Sequence, residues 1–167
     1  MSPRQADPPI LDEARAAFIS QGVAMNVASC GAARVPSLAR AYGCRVSDDR
    51  RQVTVFVPVP FAATLLEDIR AGSGIAVVFT LPRTHETLQL KGLKAEITPL
   101  QAADAVRVKV YADAFVEEIH SLGYTKAFAL ALASGAHEEL VGLTFEPAAA
   151  FVQTPGPNAG QRLGAKP

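Results

Sequence analysis

The sequence predicts an α+β fold in which helices flank an antiparallel barrel or curled sheet. Strand-like segments follow one another up to Pro60 with only turn-sized breaks between them, so no crossover helix is available to make them parallel. Further strands then alternate with helical segments, giving roughly six strands in all. No repeat, low-complexity tract or linker divides the 167 residues, and a chain of about this length is one domain. Residues 1–167 are therefore read as a single domain.

Residues 1–9 carry three prolines and read as a loose arm. Leu11–Ser20 follows as a helix, with Asp12 and Glu13 at its positive end and Gly22 beyond its last turn. Val23–Ser29 reads as a strand, and Cys30–Arg34 as a turn into a hairpin spanning Pro36–Pro60. In the first arm of that hairpin Leu38, Arg40, Tyr42, Cys44 and Val46 alternate with Ala39, Ala41, Gly43 and Arg45. One face is bulky and the other nearly bare, so a flat ligand is expected to approach the backbone on the bare side. Ser47–Arg50 is rich in turn formers, and Val53–Val59 resumes a β-branched run.

Phe61–Ala71 spaces Phe61, Leu65, Leu66 and Ile69 as a helix that Gly72 stops. Gly74–Leu81 is apolar enough to suggest a strand buried on both faces. His85–Thr98 is expected to be one long strand, with Leu88 and Leu90 on one side and His85, Thr87, Gln89 and Lys91 on the other. Gln101–His120 is a helix whose apolar face is Val108, Tyr111, Ala112, Phe115 and Ile119, and Thr125–Ala133 is a second, more apolar one. Glu139–Gln153 contains a last strand interrupted at Pro147. The tail, residues 154–167, is too rich in proline and glycine for regular structure and is expected to be irregular, at most a strap over a pocket.

Hydrophobic residues make up 49% of the chain and charged ones 19%, against about a quarter in an ordinary domain. A surface this short of charge suggests burial against another subunit. Sixteen basic residues balance sixteen acidic ones, so no electrostatic footprint for nucleic acid or an anionic membrane exists. The N-terminus lacks the apolar core of a signal peptide, and no apolar run has the length of a membrane span; a cytoplasmic protein is expected. Cys30 and Cys44 fall about nine residues apart along paired strands, roughly 30 Å, far beyond disulfide reach.

Most familiar sites are absent. There is no P-loop, no HExxH, no CxxC and no GxSxG. His85, His120 and His137 sit in different elements, and no metal site is expected. What remains is cationic and aromatic material on the strands. Arg40 and Arg45 lie on opposite faces of one extended segment, Tyr42 shares the face of Arg40 and offers a ring for stacking, and Gln89 and Lys91 add polar contacts. An arginine between Ala39 and Ala41 calls for an anion.

These residues carry a resemblance. The succession PSLARAYGCRV, a turn, VTVFVPVP, a helix containing AATLL, then IAVVF and LQLKG resembles the pyridoxamine 5'-phosphate oxidase-related, FMN-binding split-barrel superfamily over roughly residues 15–100. Pro36-Ser37 followed by Arg40 and Arg45 is similar to a basic pattern of the oxidases, with one extra residue before Arg40. The resemblance implies a homodimer of six-stranded antiparallel split β-barrels with flanking helices, with FMN at the subunit interface. It makes Arg40 and Arg45 phosphate or ring-edge contacts, places Val57 and Pro58 along a segment that meets the flavin with its backbone, and gives Gln89 and Lys91 further polar roles, with Tyr42 beside Arg40.

The resemblance implies a flavoprotein, an oxidoreductase acting on a small molecule, with His85 as the candidate proton donor and no other acid or base marked. The chain departs from the oxidases at Pro58–Ala63, where a Ser-Arg-Lys cluster is replaced by prolines, Phe61 and alanines. That departure keeps open a non-catalytic split-barrel dimer that binds or senses a flavin, haem or another ligand, or that has lost FMN. A ligand-free interaction protein is the third reading.

Overall fold

The computed structural model describes residues 8–164. Asp12 caps the first helix, α1 (Glu13–Ile19), by accepting from the Arg15 backbone N–H at 2.8 Å, the role a short carboxylate plays at a helix start. The chain continues through β1 (Ala24–Cys30), β2 (Pro36–Ala41), β3 (Cys44–Val46) and β4 (Val53–Pro58). A 3-10 turn, Val59–Phe61, leads into α2 (Ala63–Arg70), and β5 (Ile75–Thr80), β6 (Thr87–Gly92) and β7 (Glu96–Thr98) follow. Then come α3 (Asp104–Ser121), α4 (Lys126–Leu132), a second 3-10 turn (Ser134–His137), β8 (Leu140–Phe145), β9 (Ala149–Val152) and β10 (Arg162–Leu163).

All pairings are antiparallel, as expected, but there are two sheets. One has six strands in the order β10-β9-β6-β5-β1-β2, and the other has four in the order β3-β4-β8-β7. The expected count of about six strands is therefore too low, and the described ladders do not close into one barrel.

The hairpin expected over Pro36–Pro60 is the instructive difference. Its first arm is two strands, because Gly43 adopts φ +108°, a conformation that glycine reaches at little cost. The chain turns there from the six-stranded sheet to the four-stranded one. Tyr42 and Gly43 still bond to Phe56, through Tyr42 N–H to Phe56 O at 2.8 Å and Phe56 N–H to Gly43 O at 3.0 Å. The two sheets are joined at this corner.

Other sequence expectations are revised by the same two-sheet geometry. The stretch 85–98 divides into β6 and β7, one in each sheet, with His85 in the preceding turn at φ 59°. β5 is buried on one face only, with Ile75, Val77 and Phe79 inside and Ala76, Val78 and Thr80 half-exposed. The tail is not wholly irregular: Arg162 and Leu163 pair with Phe151 and Ala150. Of the arm expected at residues 1–9, positions 1–7 lie outside the described residues, as do 165–167 of the tail.

The core lies between the sheets and under α2. Ala39, Val27, Val77, Leu90 and Ala150 are directly opposed across successive strands and all buried. Leu65, Leu66 and Ile69 of α2 join them, as the helical spacing requires. No helix among the described residues is long and apolar enough to cross a membrane.

Candidate functional site

Residues directly opposite each other in a ladder share a face, and the register of the six-stranded sheet therefore defines its outer surface. One row runs Arg40, Asn26, Val78, Gln89, Phe151, Arg162, and the next runs Leu38, Ala28, Ala76, Lys91, Ala149. The centre is floored by alanines and bordered by amide, guanidinium and ammonium groups. A cleft of about 600 Å³ lies over it, lined in part by Ala28, Ala76, Ala149, Lys91 and Arg162.

The face expected to be bare is not the ligand side. Ala39 and Ala41 point into the core, and the bulky face carrying Leu38 and Arg40 is the outer one. Small side chains on β2 serve close packing within the molecule; the flat platform is made instead by Ala28, Ala76 and Ala149 of β1, β5 and β9.

Arg40 occupies the edge of that platform, beneath α3. Its guanidinium carbon lies 4.5 Å from the Phe115 ring centroid and 5.8 Å from that of Tyr42, an aromatic seat that suits a weakly hydrated cation. Its Nε and Nη2 are buried without hydrogen-bond partners. The Tyr111 hydroxyl is also buried without a partner; burial raises its pKa, against the opposing charge of Arg40. Such donors are expensive to leave unpaired. An acceptor entering here would meet donors already desolvated and held in place.

The other expected residues are dispersed. Arg45 lies on the four-stranded sheet, where it donates to the wholly buried Asp104 carboxylate and, at 3.4 Å, to Thr54 Oγ1. Its charge is answered from within. Val57 and Pro58 are buried in β4 opposite Val141 and Leu140. Gln89 accepts from Gln153 Nε2 at 3.3 Å, and Lys91 Nζ stands 5.1 Å over the Phe151 ring. Thus Arg40, Gln89 and Lys91 share the outer face, Tyr42 supports Arg40, and Arg45, Val57 and Pro58 do not join them. His85 is exposed in the β5–β6 turn.

Sequence reasoning passed over Asn26, Phe151 and the Arg40 neighbours Tyr111 and Phe115. Asn26 was detectable, since Met25, Val27 and Ser29 alternate with it and point inward. Tyr111 and Phe115 were recognisable as a helix face, but nothing in the sequence pairs that face with Arg40. No group of three or more His, Cys, Asp or Glu side chains among the described residues is arranged to hold a metal ion. Cys30 and Cys44 are both free thiols.

No family model matches the chain, and no curated protein does. Solved structures do. A protein of Lactobacillus delbrueckii assigned as a pyridoxamine 5'-phosphate oxidase superposes with a TM-score of 0.52 at 15% identity, covering 85% of this chain and 93% of that one. HupZ of Group A Streptococcus gives a TM-score of 0.52 at 17% identity, covering 90% and 99%. Identities this low speak to fold alone: the chain has the fold of the pyridoxamine 5'-phosphate oxidase-related split-barrel proteins.

Proposed function

We propose that the protein is an FMN-binding flavoprotein, a homodimer in which the outer face of the six-stranded sheet holds the cofactor against the second subunit. The observation that carries the reading is the Arg40 guanidinium, seated on Phe115 with Nε and Nη2 unpaired at the edge of an alanine-floored platform. A flavin mononucleotide brings a flat ring and an anionic phosphate. The floor of Ala28, Ala76 and Ala149 suits the ring, Gln89 and Asn26 suit its polar edge, and Arg40 and Lys91 suit the anion.

Support for the second subunit comes from the same surface. Leu38 is 68% exposed and Leu93 81% exposed, beside a cleft whose floor is apolar, and exposed apolar patches of this kind mark interaction surfaces. Bound flavin supplies the electron or hydride transfer itself. This chain's own part is to seat the ring, neutralise the phosphate and exclude water. The reaction class is therefore oxidation–reduction of a small molecule, with His85 kept as a candidate proton donor.

A second reading has its own observation. The entry to α2 offers little to a phosphate: Pro58 and Pro60 have no N–H, the Val59 N–H is spent on Glu139 O at 2.8 Å, and no side chain caps the helix. With Arg45 also committed to Asp104, the anion grip rests on fewer groups than the resemblance implies. This favours a dimer that binds or senses a ligand without turnover. Titration of Arg40→Ala and of the parent protein with FMN, alongside sedimentation, separates the possibilities. Loss of flavin affinity with dimerisation intact supports the proposed site; unchanged affinity removes Arg40 from it.

A further inference from the structure

A second cavity, apart from the platform cleft but sharing Tyr111 with the Arg40 seat, lies under the first half of α3. It encloses about 340 Å³ between the end of α1, the start of β1, β3 and α3, within the size range of small-ligand sites. Met25, Val46, Val106 and Val110 supply apolar wall. Val106 and Val110 are 66% and 61% exposed, one turn apart on α3, so they stand at the mouth where the cavity meets solvent.

The charge there is unbalanced. Arg45 and Arg107 both line the cavity, and both turn to the single carboxylate of Asp104. Arg45 takes the close contact, leaving Arg107 Nη1 3.7 Å from Asp104 Oδ1. That separation is too long for a hydrogen bond. Two cations over one buried anion leave a net positive charge beside an apolar pocket. Ser20 and Tyr111 also line the cavity, with the Tyr111 hydroxyl lying by Arg40 of the sheet platform.

We propose that this cavity binds a small carboxylate with an apolar body, its anionic head at Arg107 and its chain running past Val106 and Val110 to Met25 and Val46. A charged head alone would stay in water, and a neutral apolar molecule would gain the wall contacts without the ion pair that a carboxylate makes with Arg107. Cys44 lies in the wall, but burial pushes its thiol up to about 12. It stays protonated at neutral pH, and the occupant is held without a covalent bond.

Calorimetric titration of the full chain with octanoate, with 1-octanol as the uncharged counterpart, tests the proposal. Octanoate is expected to bind and octanol to bind at least about tenfold more weakly. Arg107→Ala should cost about tenfold or more in octanoate affinity, and Val110→Trp should abolish binding by filling the mouth. Both positions are exposed, and unchanged circular dichroism will show that the variants fold. FMN titration of the same variants should match the parent, which separates this cavity from the flavin site. Absence of octanoate binding, equal affinity for octanol, or undiminished affinity in Arg107→Ala or Val110→Trp overturns the proposal.

Discussion

Arg45 and Asp104, 59 residues apart in sequence, form an ion pair that fastens the start of α3 to the four-stranded sheet. Asp104 is wholly buried, and its Oδ2 also accepts from the Gln101 backbone N–H at 2.8 Å. Beneath it Thr54, Thr144 and Thr98 are joined by hydroxyl contacts of 2.8 and 3.0 Å. Removing one partner of such a pair strands the other in a poor solvent. We predict that Asp104→Ala lowers unfolding free energy by about 3–5 kcal/mol, while Arg45→Met with Asp104→Leu loses much less. Urea denaturation of the two variants checks this.

The two thiols should behave oppositely. Cys30 is exposed and Cys44 buried, and the Cys44 Sγ–H points at Ile19 O at 3.2 Å. At pH 8 a disulfide reagent should leave Cys44 unmodified in the native chain and modify it after unfolding. Modification of Cys44 in the native protein as fast as in the unfolded chain would contradict its burial.

A stability profile in alkali follows from the same residue. Burial raises the Cys44 pKa from 9.0 to about 12, so the folded state holds this proton more tightly than the unfolded chain. The resulting stabilisation is fully present below pH 9 and is lost between 9 and 12 at about 1.4 kcal/mol per pH unit. Cys44→Ala should remove that slope, measured by denaturation across the range. Tyr111, shifted in the same direction by burial, acts at higher pH.

Gly135 closes over Tyr42 so tightly that an added Cβ would lie 2.6 Å from the Tyr42 hydroxyl oxygen. Gly135→Ala must displace the ring or the 3-10 turn, at a cost of about 1–3 kcal/mol. Because Tyr42 helps to seat Arg40, the variant should also weaken flavin binding. Thermal unfolding and FMN titration read the two effects separately.

The alternation that marked strands and helix faces was legible wherever one side of an element faces the core: Leu88 and Leu90 against Gln89 and Lys91, or Val108, Tyr111, Phe115 and Ile119 on α3. The corner at Tyr42-Gly43 was not, because a glycine inside an alternating run reads equally as a strand residue or as a turn. The ligand face of β2 was misjudged for a different reason: Ala39 and Ala41 are small because they pack into the core. Arg40 was recognised as an arginine in need of an anion, and Arg45 was given a phosphate or ring-edge role by the resemblance. Only three-dimensional structure reveals that Asp104, far along the chain, engages Arg45, while Arg40 Nε and Nη2 stay unpaired. The pairing of Arg162 was hidden by the prolines and glycines around it, since local propensity carries no record of the neighbouring strand β9 that stabilises it.

The central claim, a flavin seated on the sheet platform through Arg40, is tested most directly by the visible absorption of the purified protein titrated with FMN. The account predicts saturable binding, with the flavin bands in the region of roughly 350–500 nm perturbed as the ring leaves water, and loss of that change in Arg40→Ala. A protein that stays colourless after FMN is added and the free cofactor removed, or an Arg40→Ala variant that binds as the parent does, would contradict it.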